Sequence, residues 1–204
     1  MPEPYTGEPK TGFLNGERLY LRPVEPDDLS VVMRIRNDPE LRALTCGVAP
    51  MSRGDAERWL EELRRERGRL WFVVVLRDRD RVIGEAGLLR IFHEWRTSDL
   101  SVMLADRSSW GKGLGTEVAD LLIAHAFGTL SLHRLAVGVI ASNTRAVRFW
   151  ESLGFQREGI QRDGCFMGGR FQDFIMMSLL STDVRPTRKG SGRIQLGQGR
   201  VRVR

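Results

Sequence analysis

In "ERLYLRPV" apolar and polar residues alternate, with Leu19 and Leu21 two apart, and a first strand is expected there. The spacing turns helical in "PDDLSVVMRIRNDPE", with acids at the positive end of the helix and Pro39 as its stop. A second helix is predicted from Ser52, where "SRGD" reads as an S-x-x-D capping box, through "AERWLEELRRER" to Gly68. "RLWFVVVL", the charged turn "RDRD" and "RVIGEAGLLRI" then predict a hairpin over 69–77 and 81–91. "SDLSVMLA" predicts another strand, followed by a glycine-rich loop and a helix from Thr116 to Phe127. "HRLAVGVIA" reads as a strand, and "NTRAVRFWESLG" as a short helix closed by Gly154. "FQREGIQRDG" and "GGRFQDFIMMSLL" finish the pattern as two strands around a Gly-rich connection. The order β-α-α-β-β-β-α-β-α-β-β implies a mixed α/β sheet rather than a regular βαβ repeat.

At 204 residues the chain suits one domain, expected over 16–182, with an N-terminal arm at 1–15 and a tail at 183–204. Charge changes the picture once it is divided. Residues 185–204 hold seven Arg or Lys and no acid, so the net charge of +6 becomes −1 when they are set aside. Such a tail is either solvated or touches acidic partners, RNA or a cofactor's phosphates. No apolar run approaches the roughly 20 residues of a membrane span, and the start lacks a secretory pattern. A cytoplasmic protein with no membrane partner is expected. Cys46 and Cys165 lie far apart without metal-ligand spacing, so two reduced bystander thiols and no metal site are expected.

Candidate chemistry centres on "RSSWGKGLGTEV". Bare glycines ahead of a helix expose backbone N–H donors, and the helix start adds partial positive charge, which together favour a phosphate. Lys112 adds a cation at the rim. The stretch is no Walker A loop, because G-K-[S/T] does not follow, and no dinucleotide fingerprint, because Val118 takes the place of the third glycine.

Taken with "NTRAVRFWESLGF" and "REGIQRDGCFMGGRFQDFIMMSLL" downstream, the loop resembles the GNAT superfamily of acyl-CoA-dependent N-acyltransferases. The resemblance runs from Glu17 to Leu180 and is closest to the branch that acetylates ribosomal-protein N-termini. It implies the GNAT fold, a mostly antiparallel sheet of about seven strands with about four helices, splayed between the fourth and fifth strands. It also implies acetyl-CoA, or another acyl-CoA, as co-substrate. The coenzyme diphosphate would lie on Trp110, Gly111, Lys112, Gly113, Leu114, Gly115 and Thr116, with Trp110 where the family commonly carries Gln or Arg. The strand before the loop, about Leu100 to Leu104, should be bulged, with Val102, Met103 and Leu104 contacting the pantetheine arm and thioester. Asn143 matches a cofactor-contacting Asn and doubles as a helix cap, while Arg148 and its neighbour Arg145 either meet the 3′-phosphate or face water.

Transfer from a thioester to an amine needs a donor for the developing oxyanion, expected from a main-chain amide near Val102 to Leu104. It also needs a deprotonated amine, and a carboxylate is the usual remedy. By resemblance Asp99 is the first candidate base or water-holder. Glu85, an acid among apolar residues whose strand could face the acceptor cleft, and Asp173 follow. Trp150 stands where many relatives carry an acidic tyrosine, and an indole N–H is no useful acid. The expected activity is direct acyl transfer to a protein or peptide N-terminal α-amine or to a small amine, in a monomer or homodimer. The alternative is a catalytically silent acyl-CoA-binding or RNA-associated module that uses the basic tail.

Overall fold

The computed structural model describes residues 12–185 and 195–196. Eight strands form one sheet: β1 (Leu14–Asn15), β2 (Leu19–Pro23), β3 (Leu70–Leu76), β4 (Arg81–Phe92), β5 (Thr97–Leu104), β6 (Arg134–Ile140), β7 (Gln156–Met167) and β8 (Arg170–Leu180). Their spatial order is β1-β2-β3-β4-β5-β6-β8-β7. Every neighbouring pair is antiparallel except β5 with β6. Five α-helices cover it: α1 (Leu29–Asn37), α2 (Pro39–Thr45), α3 (Arg53–Arg65), α4 (Leu114–Ala124) and α5 (Thr144–Ser152). This is the GNAT fold, with one more strand and one more helix than the pattern predicted.

The extra helix is α2. Pro39 ends α1 as expected, but proline at the first turn also suits a new helix. The Asp38 carboxylate accepts the amides of Glu40 and Leu41, both at 2.9 Å, and caps it. The extra strand is β1, inside the stretch read as an arm, where Phe13 stacks on Phe72 at 5.6 Å between ring centroids. At α3 the predicted capping box is present, with Ser52 N donating to Asp55 at 2.9 Å and Asp55 N to Ser52 Oγ at 3.2 Å.

Two cores sandwich the sheet. On one face, Leu19, Leu21, Val74, Leu88 and Leu135 pack with Val118 and Leu122 of α4 and with Trp150 of α5. On the other, Tyr20, Val73 and Val75 pack under Leu29 and Val32 of α1 and Leu60 of α3. The alternation read in β2 is the physical origin of this division, since successive side chains leave opposite faces.

The cysteines correct the expectation of two separate thiols. Cys46 closes α2 in a left-handed conformation, Cys165 lies in β7, and the two are bonded across 119 residues of chain with Cα atoms 6.6 Å apart. Sequence distance carried no information about this, because the tertiary fold brings the end of α2 to β7. Val184–Arg185 and Gln195–Leu196 pair antiparallel, apart from the main sheet. The rest of the tail after residue 185, and residues 1–11 of the arm, lie outside the described residues. Among the described residues no helix is long and apolar enough to cross a membrane.

Candidate active site

The glycine loop adopts the backbone its residues require. Gly111 and Gly113 adopt φ of +72° and +74°, where an L side chain is strained, and Gly113 is the N-cap of α4. No side chain caps that helix, so its first amides keep their donors for a ligand. An ideal Cβ on Gly111 would meet nothing within 4 Å, so the loop presents bare backbone to open space. Glu117, one turn into α4, would oppose an anion, but Arg18, just before β2, holds it, with Nε 2.8 Å from one oxygen and the Arg18 amide 2.8 Å from the other. Arg18 also donates to the Lys112 carbonyl at 2.7 Å and ties the loop to the helix it opens. Sequence reasoning missed Arg18, which lies 99 residues from Glu117 and carries no local signal.

Trp110 braces the loop. Its indole Nε1 donates to the Leu104 carbonyl at 2.8 Å, tying the end of β5 to the glycines, and the Arg145 guanidinium lies 3.7 Å from its ring centroid. Arg145 is thereby set over the loop. On α5, Asn143 accepts the Ala146 amide at 3.1 Å, so the capping part of its expected role is present.

The sheet opens where it was expected to. β5 and β6 pair only at Thr97, Ser98 and Asp99, opposite Arg134, Leu135 and Ala136. Beyond Asp99, β5 stays with β4 as far as Leu104 opposite Gly84, while β6 follows β8 as far as Ile140 opposite Phe174. Each strand keeps its outer partner, and the gap between them leaves the β6-facing backbone of residues 100–104 without a ladder. The bulge expected within Leu100 to Leu104 is absent. The register there is regular, and the β4–β5 irregularity lies between Leu89 and Phe92, at Arg90 with φ +50°. Divergence of the outer pairings opens the strands without it.

A groove of about 660 Å³ runs through this opening. One end is lined by Trp110, Gly111, Gly113, Gly115 and Thr116 with Asn143, Arg145 and Arg148, and its middle by Val102, Met103, Leu104 and Trp150. Leu41, Leu44 and Thr45 of α2 and Phe174 of β8 also line it. Of the predicted cofactor contacts only Lys112 and Leu114 are not on this lining; both border an adjacent basic pocket with Arg18 and Arg81.

The carboxylates expected to serve catalysis are placed apart from this lining. Glu85, expected to face the acceptor cleft, is fully buried opposite Met103. There it pairs with Arg36 at 3.0 Å and accepts from Trp71 Nε1 at 3.0 Å. Arg36 in turn stacks on Trp59 and Trp71. Burial among apolar residues was legible; the arginine that accounts for it comes from α1. Asp173 accepts the Asp163 amide at 2.9 Å and fastens β7 to β8. Asp99 is half-buried at the apex of the splay, one residue before the groove begins, and is paired with Arg90. Burial pushes its carboxyl above the usual range, with Arg90 and then Arg134 pulling the other way.

A helix start with free amides, opening onto a sheet parted at its one parallel pair, suits an acyl-coenzyme A as co-substrate. The chain belongs to the acetyltransferase (GNAT) domain family, whose profile matches residues 18–156. It is 32% identical over 171 residues to the uncharacterized N-acetyltransferase p20 of Bacillus licheniformis, covering 82% of this chain and 95% of that one. A putative ribosomal N-acetyltransferase of Bacillus subtilis, YdaF, is 36% identical over 73 residues, 36% of this chain and 40% of that protein. In fold the chain is similar to spermidine N-acetyltransferase from Vibrio cholerae, solved with CoA and spermine. The TM-score is 0.76 at 24% identity, covering 81% of this chain and 96% of that one. This chain is thus an N-acetyltransferase of the GNAT type with acetyl-CoA as acyl donor.

Proposed function

We propose that the acetyl group passes directly to a primary amine, either the α-amine of a protein or peptide N-terminus or that of a small molecule, with no acyl-enzyme. The observation that carries this reading is the uncapped start of α4 with its left-handed glycines, opening onto the parted β5 and β6. Acetyl-CoA supplies an activated thioester carbonyl. Amides of Gly111 to Thr116 bind its diphosphate, and Arg145 and Arg148 meet phosphate charge at the same end. Backbone of Val102 to Leu104 aligns the pantetheine arm and turns one amide toward the carbonyl oxygen as negative charge develops there.

Asp99 holds the water that takes the amine's proton, and its upward-shifted carboxyl makes it a better base than an exposed aspartate. Trp150 packs against Phe149 and Phe155 beside the groove and gives the leaving sulfur an apolar wall without protonating it. Direct attack is favoured because the chain's two cysteines are bonded to each other, and it has no third.

The test is an initial-velocity study of thiol release with acetyl-CoA and amine both varied. Intersecting lines, with no acetylated protein found by mass spectrometry after acid quench, are the expected result. Parallel lines together with a trapped acetyl-enzyme would sink the reading.

A further inference from the structure

We propose that the acceptor subsite takes a primary amine that bears a single positive charge and an apolar substituent, and that it discriminates against polyamines. This inference rests on the transferase reading above and names its substrate class. Beyond the glycine loop and α5, the groove is walled by Leu41, Leu44 and Thr45 of α2, Ser101 and Met103 of β5, and Phe174 of β8. None of the described residues lining the groove is Asp or Glu, and its charged members, Arg145 and Arg148, are both cations.

Acids beside these residues are already engaged, Asp173 next to Phe174 by the Asp163 amide at 2.9 Å. Asp38 and Glu40, at the start of α2, face Arg107 at 3.6 and 2.7 Å. Glu85 is closed under Arg36, and Asp99 is paired with Arg90. A polyamine entering here would desolvate ammonium groups with no carboxylate on the lining to receive them. An apolar substituent on a monoamine instead removes its own surface and that of Leu41, Leu44 and Phe174 from water. The wall is held in place, because Cys46 at the end of α2 is bonded to Cys165 of β7.

In the transfer, the lone pair of the neutral amine forms the new N–C bond. The C–S bond then breaks with its electrons on sulfur, and the amine's second proton passes through water to the thiolate. One amide and one free thiol result.

The full chain would be assayed with acetyl-CoA by thiol release against spermidine, 2-phenylethylamine and a C-terminally amidated peptide with an N-terminal leucine. The expected kcat/KM for the better of the two apolar monoamines is at least ten-fold that for spermidine, and which of the two leads tells a small-molecule from a peptide source. The variant Leu44→Glu, at a half-buried position of the wall, should shift the ratio at least ten-fold toward spermidine. Equal or better use of spermidine by the unmodified chain overturns this inference and leaves the transferase reading standing. Thiol release with no acceptor, while calorimetry still reports acetyl-CoA binding, overturns the transferase reading and the inference with it.

Discussion

Replacing Gly113 by alanine tests the cradle at the position where backbone conformation and ligand binding meet. Gly113 sits at φ +74°, and the nearest atom to an added Cβ would be Arg18 Nη2 at 3.5 Å, an ordinary contact. No steric term therefore enters, and the cost is that of a left-handed L-residue, about 1–2 kcal/mol. That free energy has two places to go. If the loop keeps its shape, the free protein carries the strain, and the melting temperature falls by about 2–8 °C for a chain of this size. If the loop relaxes, the amides lose their aim and must be re-formed on binding, which weakens acetyl-CoA by about five- to thirty-fold. Calorimetric Kd for acetyl-CoA and a thermal melt, run on the same preparation, should together account for the 1–2 kcal/mol. Gly113→Asn is the control, since asparagine tolerates this conformation better and should lose less in both readouts. Neither a lower melting temperature nor a higher Kd in the alanine variant would refute the argument that the loop's backbone conformation forms the phosphate site.

Glu85→Ala leaves the Arg36 guanidinium against Trp59 and Trp71 without its partner, and should cost about 3 kcal/mol in urea unfolding, the low end for a broken buried pair because Arg36 keeps some contact with water. A loss of activity without a loss of stability would instead return Glu85 to a catalytic part. Thiol titration of the denatured, unreduced protein should find no reactive sulfur, and reduction should then release two. The bond closes 119 residues, so reduction should lower stability by up to about 5 kcal/mol on the chain-entropy view. For Asp99 the sign follows from its cause: burial raises its folded pKa, so its contribution to stability is full below the unfolded value near 3.9 and is lost as pH rises through the folded value. Asp99→Asn should therefore gain stability relative to the unmodified chain between about pH 3 and 7, while kcat/KM at pH 7 falls by about 10²-fold or more and loses its acidic limb. An unchanged pH–rate profile would remove Asp99 from the reaction.

Local order was legible where local physics sets it. Two-residue alternation marked the strands, S-x-x-D marked the start of α3, and the glycines ahead of "TEVADLLIAHAF" marked an anion site, because each signal acts within a turn or two of chain. Pro39 shows the limit of such signals. It ends one helix and begins the next, and the Asp38 cap on the amides of Glu40 and Leu41, though itself local, is masked by the proline's reading as a stop. The rest was decided by residues that sequence distance keeps apart. Arg18 holds Glu117 beside the glycine loop, Arg36 explains why Glu85 is tolerated in the core, and Cys165 meets Cys46 because the fold brings the end of α2 to β7. The parting of β5 from β6 is likewise a property of the whole sheet. Each strand follows its outer neighbour, and no residue between Leu100 and Leu104 encodes the gap. The sequence by itself thus determined the elements and the bare glycine loop, both written in short-range spacing and backbone freedom. Tertiary structure alone decided which charges are spent on one another, and so left the described lining of the groove without a carboxylate.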